Sequence, residues 1–546
     1  MRIPKSTPLI VYSLSLLIAF LLATLFFSDG TDSVNRFLFN SDILYFPTLY
    51  KDLFIDDYHL SGWTIPGSPN FFPDMLLYFL LMFITGSVPL TIYLFGIIQF
   101  FAILLLFRIL LKQVFPDFTL YNIALGNLLI SMFFLISFIS HDIYLSFLLV
   151  SNTYHLGAFV NVLIALVFSI TYIKSNSFKY LVFLLILGII SIISDRLFII
   201  MYCAPFASAL LIFIRKSRNF INSLYIICTI ALMVLIGFVL FDKISHNNTI
   251  HVAKAYFNIT KEGMHSSWNA LFGTLHIYIR QLSFFGWIII LSSLSLLLAI
   301  LFFFRSASSL WNGVLLNSES GLKQFLNLFF IIFTVAVLFA PILTGGFQGF
   351  DTIRYNIFVF YFGLLYMGSV LLYFFNEKKW IKNVVSGSTY LGILGLILFL
   401  GIYISNNKPL IGFKKYLNYY PEVAKSVDLL DEKFELKQGV STYWLGKVAT
   451  MFSKEGVRVY TVYNEDLVPY SHVGNENWYF ETGVGKYDPP VFNFILLQKP
   501  VSELALATIE KRVGKIILTE EHGDYMIVKV NDFIYNRNNP FPVPLK

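Results

Sequence analysis

Residues 71–112 read FFPDMLLYFLLMFIT-GS-VPLTIYLFGIIQFFAILLLFRILLK, and the fold turns on how this stretch meets a membrane. Two apolar runs, Phe71 to Thr85 and Val88 to Leu111, are separated only by Gly86 and Ser87. If both cross, Arg108 and Lys112 fall outside and every later basic cluster is reversed. If only the second crosses, Arg108/Lys112, Lys174/Lys179, Arg215/Lys216/Arg218, Arg305/Lys323 and Lys378/Lys379/Lys382 all lie inside. That arrangement satisfies the positive-inside rule. The first run holds about 15 residues, short of the ~20 needed to span. It therefore reads as an amphipathic helix, 71–85, along the outer interface.

Working outward, Leu9 to Phe27 is apolar and follows Arg2 and Lys5, so the N-terminus is cytoplasmic and the first span exits. The run is long and no small-x-small site closes it, so it does not read as a cleaved signal peptide. The polar, aromatic stretch 28–73 forms the first outer loop. Further spans are expected near 120–139, 155–173, 180–194, 197–214, 221–241, 283–304, 325–343, 355–375 and 388–405. With the first two, that makes about eleven. Hydrophobic residues are 57% of the chain, charged residues 13%, and mean hydropathy is +0.71, the composition of an all-α polytopic membrane protein.

Residues 1–405 form the membrane unit, and at Asn406 the composition becomes that of a soluble domain. Within 406–546 helices are expected at Pro421 to Leu436 and Ser502 to Arg512, and strands at Val457 to Tyr463 and Val491 to Leu497. Lys515 to Leu518 and Tyr525 to Val530 close a hairpin around Glu521-His522-Gly523-Asp524. This is a small extracytoplasmic α/β domain. Cys203 and Cys228 both fall in spans and read as buried thiols, with no disulfide framework. The net charge of +7 resides mostly in the inner clusters, which suit an anionic leaflet rather than nucleic acid. No Walker loop or dinucleotide fingerprint occurs.

The polar residues kept on the outer face carry the chemistry. Asp42 lies in Phe37-Leu38-Phe39-Asn40-Ser41-Asp42-Ile43-Leu44-Tyr45-Phe46. A carboxylate desolvated by aromatics gains basicity and suits a general base or a cation ligand; the plainer reading is a helix cap by Ser41 or Asp42. Asp195 and Arg196 meet the outer face at a span end. Neighbours on a helix cannot neutralise each other, so each needs its own partner, in a cavity or in an interhelical ion pair. His141-Asp142 and His155 match no zinc spacing. Lys254, Lys261 and Arg280 occupy a long outer loop, and Arg354 follows Gly345-Gly346-Phe347-Gln348-Gly349-Phe350-Asp351. Cations on this face call for an anionic ligand such as a lipid phosphate, which arginine grips bidentately; a 40-residue loop also carries a few cations without penalty.

This layout resembles the GT-C superfamily of membrane glycosyltransferases, which includes protein O-mannosyltransferases, aminoarabinose transferases and oligosaccharyltransferases. The resemblance spans about residues 1–375. Asp42 matches the first-loop acid, and Pro69-Asn70-Phe71-Phe72-Pro73-Asp74 the proline-aromatic lead-in to the interfacial helix. Val88 to Lys112 matches the second span. Arg354-Tyr355 matches the late arginine that approaches the lipid phosphate. A single Asp42 stands where the family commonly has an acidic pair, so the resemblance leaves a divalent metal cofactor open and fixes none.

The resemblance implies an enzyme of the bacterial plasma membrane that moves a sugar from a polyprenyl-phosphate carrier to a glycan, lipid or protein acceptor outside. Asp42 would be the catalytic base. Arg354, Arg196, Lys254 and Lys261 would bind the donor phosphate, and Asp195, His141, Asp142 and Asp74 would line the acceptor side. No nucleic acid partner is expected. Two other classes fit the composition: a transporter or lipid flippase, which should show repeated or broken segments, and a non-catalytic envelope assembly protein that docks through its outer domain.

Overall fold

A computed structural model of the chain describes residues 7–29, 31–116, 119–140, 142–214, 220–246, 250–253, 258–311, 316–375, 379–463, 465–481 and 489–545. Among these residues eight helices are long and apolar enough to cross a membrane. They are Thr7–Ser28, Val88–Val114, Leu120–Ser140, Leu156–Ser175, Phe220–His246, Phe284–Arg305, Glu319–Leu343 and Ser386–Asn407. Phe71–Thr85, Lys179–Ser194, Ile199–Phe213 and Ile357–Met367 are shorter apolar helices. The chain is mostly helical, and its helices pair closely. Thr7–Ser28 lies on Leu120–Ser140, and Val88–Val114 on Leu156–Ser175. Cys203 is buried as expected; Cys228 is exposed on the outward side of its helix.

The break at Gly86 is real. Gly86 sits at φ 61, its N–H donates to the Met82 carbonyl, and the next helix begins two residues later. A left-handed cap of this kind suits glycine, which has no Cβ to clash. On the preceding helix Leu76, Leu80, Phe83 and Ile84 are exposed, while Tyr78, Leu81 and Met82 are buried against the bundle. A short helix offering an apolar face outward is the form expected of an interfacial segment.

Ten strands occur among the described residues: β1 (Trp63–Ile65), β2 (His251–Val252), β3 (Gln438–Ser441), β4 (Arg458–Tyr463), β5 (Val468–Pro469), β6 (Gly474–Asn475), β7 (Phe492–Gln498), β8 (Ile516–His522), β9 (Tyr525–Asn536) and β10 (Asn539–Pro544). Seven form the C-terminal sheet, in the order β10-β9-β7-β3-β4-β5, with β8 on β9. β3 pairs in parallel with β4 and β7, and the remaining pairs are antiparallel. The expected helices and hairpin are present within a few residues. The expectation missed β3 and the helix Tyr443–Phe452 that crosses from it to β4. Gly446 lets that helix lie close, because a Cβ there would stand 3.0 Å from the Val459 carbonyl.

The C-terminal unit is bound into the membrane unit. β1, in the loop after the first long helix, pairs with β2 of a later loop and with β6 of the C-terminal unit, making a small sheet from three distant segments. The helix Pro409–Leu417 lies against Thr7–Ser28, and the Tyr416 hydroxyl donates to the Pro89 carbonyl at 2.8 Å. These contacts between segments far apart in sequence fix one face of the C-terminal unit onto the first two long helices and the loop between them.

Candidate active site

Asn40 sets up the position of Asp42. Its side-chain oxygen accepts the backbone N–H groups of Asp42 (2.9 Å) and Ile43 (3.0 Å), closing a turn ahead of the helix Tyr45–Phe54. That helix has no side-chain cap; Asn40 closes the turn before it, and the Asp42 carboxylate points elsewhere. It accepts the Tyr443 hydroxyl at 2.7 Å and the Tyr154 hydroxyl at 3.2 Å. Asp42 is thus half-buried in a polar setting, not the dry aromatic one its neighbours in sequence imply.

Tyr443 is held in turn. Its carbonyl accepts the Ser41 hydroxyl at 2.6 Å, and the Lys447 ammonium lies 4.6 Å from its ring centre. Lys447 donates to the Ser41 carbonyl at 3.2 Å. Ser41-Asp42 and Tyr443-Lys447 therefore clasp each other across the two units. Burial pushes the Lys447 ammonium down to about 7, with Asp42 opposing. Burial and the Asp42 carboxylate push the Tyr443 phenol well up, so it remains a donor.

Arg354 arrives from the other wall. It belongs to the 3-10 turn Phe350–Tyr355, which is tied to the helix Glu319–Leu343 by Asn356 donating to the Val337 carbonyl at 2.8 Å. The guanidinium lies 5.2 Å from the Tyr154 ring centre and 5.3 Å from that of Tyr355. Among the described residues it has no carboxylate partner, and its Nε is buried without an acceptor. A buried donor left unpaired is costly and suits a ligand that brings oxygen atoms.

Tyr154 joins the two halves, donating to Asp42 and offering its ring to Arg354. Between them lies a cavity of about 1070 Å³, lined by Asp42, Arg354, Tyr144, Tyr154, Asp351, Ser33, Arg36, Phe37 and Asn40 together with Tyr443, Trp444, Tyr470 and His472. Four distant segments build it. Sequence reasoning missed Tyr154, Lys447 and His472. The signal for Tyr154 is the polar run Ser151-Asn152-Thr153-Tyr154-His155 directly ahead of an apolar helix.

The other expected site residues stand outside this lining. Arg196 donates to the Gly67 carbonyl at 2.9 Å and lies over the Phe241 ring, so its charge is already engaged. Lys261 is exposed in the first turn of the helix Lys261–Arg280. Asp195 is buried and accepts from Ser68, from the Leu197 N–H and, at 2.6 Å, from His155. His155 in turn lies 5.3 Å from the Tyr355 ring, so this pair braces the residue beside Arg354. Asp74 is buried on Gln99, at 2.9 Å. A Cβ at Gly157 would strike the Asp74 carboxylate, so that glycine permits the approach. Asp142 is half-buried just before the helix Ile143–Leu148. His141 and Lys254 lie outside the described residues.

Among the described residues no three His, Cys, Asp or Glu side chains converge as metal ligands. Both Asp42 oxygens already accept phenol protons. Asp42, Asp351 and His472 line the cavity without converging as a three-ligand set.

No family model matches the chain, and no curated protein does. Among solved structures, the oligosaccharyltransferase of Archaeoglobus fulgidus, crystallised in complex with Zn and sulfate, aligns with 97% of this chain and 72% of its own. Identity is 11% and the TM-score 0.42, a likeness too loose to assign any residue a role.

Proposed function

We propose that the chain is a GT-C-type membrane glycosyltransferase that moves a sugar from a polyprenyl-phosphate carrier to an acceptor hydroxyl on the outer face of a bacterial plasma membrane. The observation that carries this reading is the single cavity shared by Asp42 and Arg354, with Tyr154 touching both. The acceptor oxygen attacks the anomeric carbon and loses its proton to Asp42. The bond from that carbon to the carrier phosphate breaks, and its electron pair leaves with the phosphate, which Arg354 stabilises. Tyr443 and Tyr154 hold the carboxylate in line. Inversion at the anomeric carbon follows from the resemblance.

Arg354 provides the test. Arg354→Lys replaces a planar two-pronged donor with a point charge, and Arg354→Ala removes it. Binding of a short-chain polyprenyl phosphate to the purified protein should weaken in the first and weaken further in the second. The expected loss for alanine is about 1.5–3 kcal/mol, the scale of a charged hydrogen bond. Equal affinity in wild type and both variants removes Arg354 from the site.

The same reading needs about eleven spans, with Lys179–Ser194, Ile199–Phe213 and Ile357–Met367 crossing as well as the eight long helices. The C-terminal unit then lies outside. A reporter active only outside the cytoplasm should work when fused after Leu436 and fail after Arg218; the reverse pattern overturns the topology.

A further inference from the structure

We infer that the wall of the cavity supplied by the C-terminal unit is a saccharide subsite, so that the acceptor is a glycan seated against Trp444, Tyr470 and His472. This rests on the transferase reading and names its acceptor class.

The C-terminal unit gives this wall a cluster of rings. Tyr443 and Trp444 have centroids 5.1 Å apart, Tyr443 and Tyr470 6.0 Å, and Tyr470 and His472 5.7 Å. Tyr463 extends the cluster, 5.8 Å from Tyr470. Aromatics gathered for packing alone would be dry, as Trp63 (0% exposed) and Trp478 (3%) are nearby. Trp444 and Tyr463 instead leave 58% of their surface open. Both belong to the C-terminal unit, and neither lies in one of the helices long and apolar enough to cross a membrane. Wet aromatic faces continuous with a polar cavity mark a binding surface.

A sugar ring matches that surface. Its C–H face lies flat on an indole or phenol ring, and its hydroxyls reach polar groups at the rim, here His472, Ser33, Arg36 and Asp351. The rings are steeply inclined to one another, 90° for Tyr443–Tyr470 and 78° for Tyr443–Trp444, and so present faces in several directions. The cavity is at the top of the range for a drug-sized ligand (about 300–1,000 Å³), with room for an acceptor unit beside the donor sugar.

The adjoining backbone argues against a polypeptide acceptor. β5, which leads into Tyr470, is an edge strand of the C-terminal sheet. Its second residue is Pro469, which has no N–H, so an added peptide strand loses a ladder hydrogen bond there.

The test uses the full chain in lipid nanodiscs and calorimetry with four probes: chitotetraose, cellotetraose, mannotetraose and a flexible twelve-residue Ser/Thr-rich peptide. At least one tetrasaccharide should bind. Trp444→Ala should weaken it about fivefold to tenfold, the scale of one lost ring contact. Polyprenyl-phosphate affinity in the same variant should match wild type, which shows that it is folded. Absence of saccharide binding, or equal binding by Trp444→Ala, overturns the subsite. Binding of the peptide alone, lost in Trp444→Ala, assigns the wall to a polypeptide instead. The transferase reading fails by a different result, equal polyprenyl-phosphate affinity in the Arg354 variants.

Discussion

Asp42 and Asp52 stand ten residues apart in the same loop, and both reach across to the C-terminal unit, yet their surroundings differ in kind. Asp42 is half-buried, accepts two O–H groups and faces a wide cavity. Asp52 is 2% exposed, and one of its oxygens accepts three N–H groups: Trp478 at 2.8 Å, Trp63 at 3.0 Å and Asn475 at 3.1 Å. Phenols can rotate away and be replaced by a substrate hydroxyl; indole N–H groups packed on all sides cannot. The first arrangement leaves a carboxylate free to exchange partners. The second is a lock that joins β1 and the segment after β6, where Trp63 and Trp478 meet edge to face at 5.5 Å. Ordinary composition gives no hint of which acid is which, because the loop's aspartates differ only in what covers them.

Two substitutions break this comparison in opposite directions. Asp42→Asn keeps size and removes basicity, so transfer should fall ~10²–10⁴-fold while thermal stability stays near wild type. Asp52→Ala leaves three buried donors without their acceptor. It should destabilise the docked C-terminal unit by roughly 1–3 kcal/mol for each N–H that finds no water, with a lower unfolding midpoint and faster hydrogen exchange at Trp63–Ile65. Full turnover in Asp42→Asn would reduce that residue to a structural one. Unchanged stability in Asp52→Ala would mean that the lock is replaceable packing.

How much of this was legible in the sequence follows from the range of the forces involved. The apolar runs and the Gly86 break could be read because hydrophobicity and left-handed caps are local. Asp42 and Arg354 could be singled out because each is an unusual charge in its own neighbourhood. That they share a cavity could not, since the link runs through Tyr154 and through Tyr443, about 400 residues from Asp42. The helix Tyr443–Phe452 escaped because a glycine inside a ten-residue stretch weakens the helical pattern; Gly446 serves the close approach to β4. Arg196 and Asp195 drew attention correctly as charges needing partners, but their partners are Gly67, Ser68 and His155, which no periodicity announces.

The pH dependence of stability is the effect most specific to the junction. Burial raises Asp52 to about 7, with Asn475 and Trp478 pulling the other way, and burial lowers Lys447 to about 7. Both line the narrow gap between the units. The unfolded carboxyl titrates near 4, so between about pH 4 and 7 the folded state holds the extra proton. Stability from Asp52 is then fully present at the acid end and declines as pH rises to about 7. For Lys447 the unfolded amine titrates near 10.4, so between about pH 7 and 10 the unfolded state holds the extra proton and stability rises with pH. The junction should therefore be weakest near neutrality, each slope being at most about 1.4 kcal/mol per pH unit. Melting the full chain in detergent from pH 5 to 9 should show a shallow minimum in the midpoint. Asp52→Asn should flatten only the acid limb and Lys447→Met only the alkaline one. A midpoint that varies identically with pH in wild type and both variants would show that neither group titrates within the junction, and that the two units are held by strand pairing and packing alone.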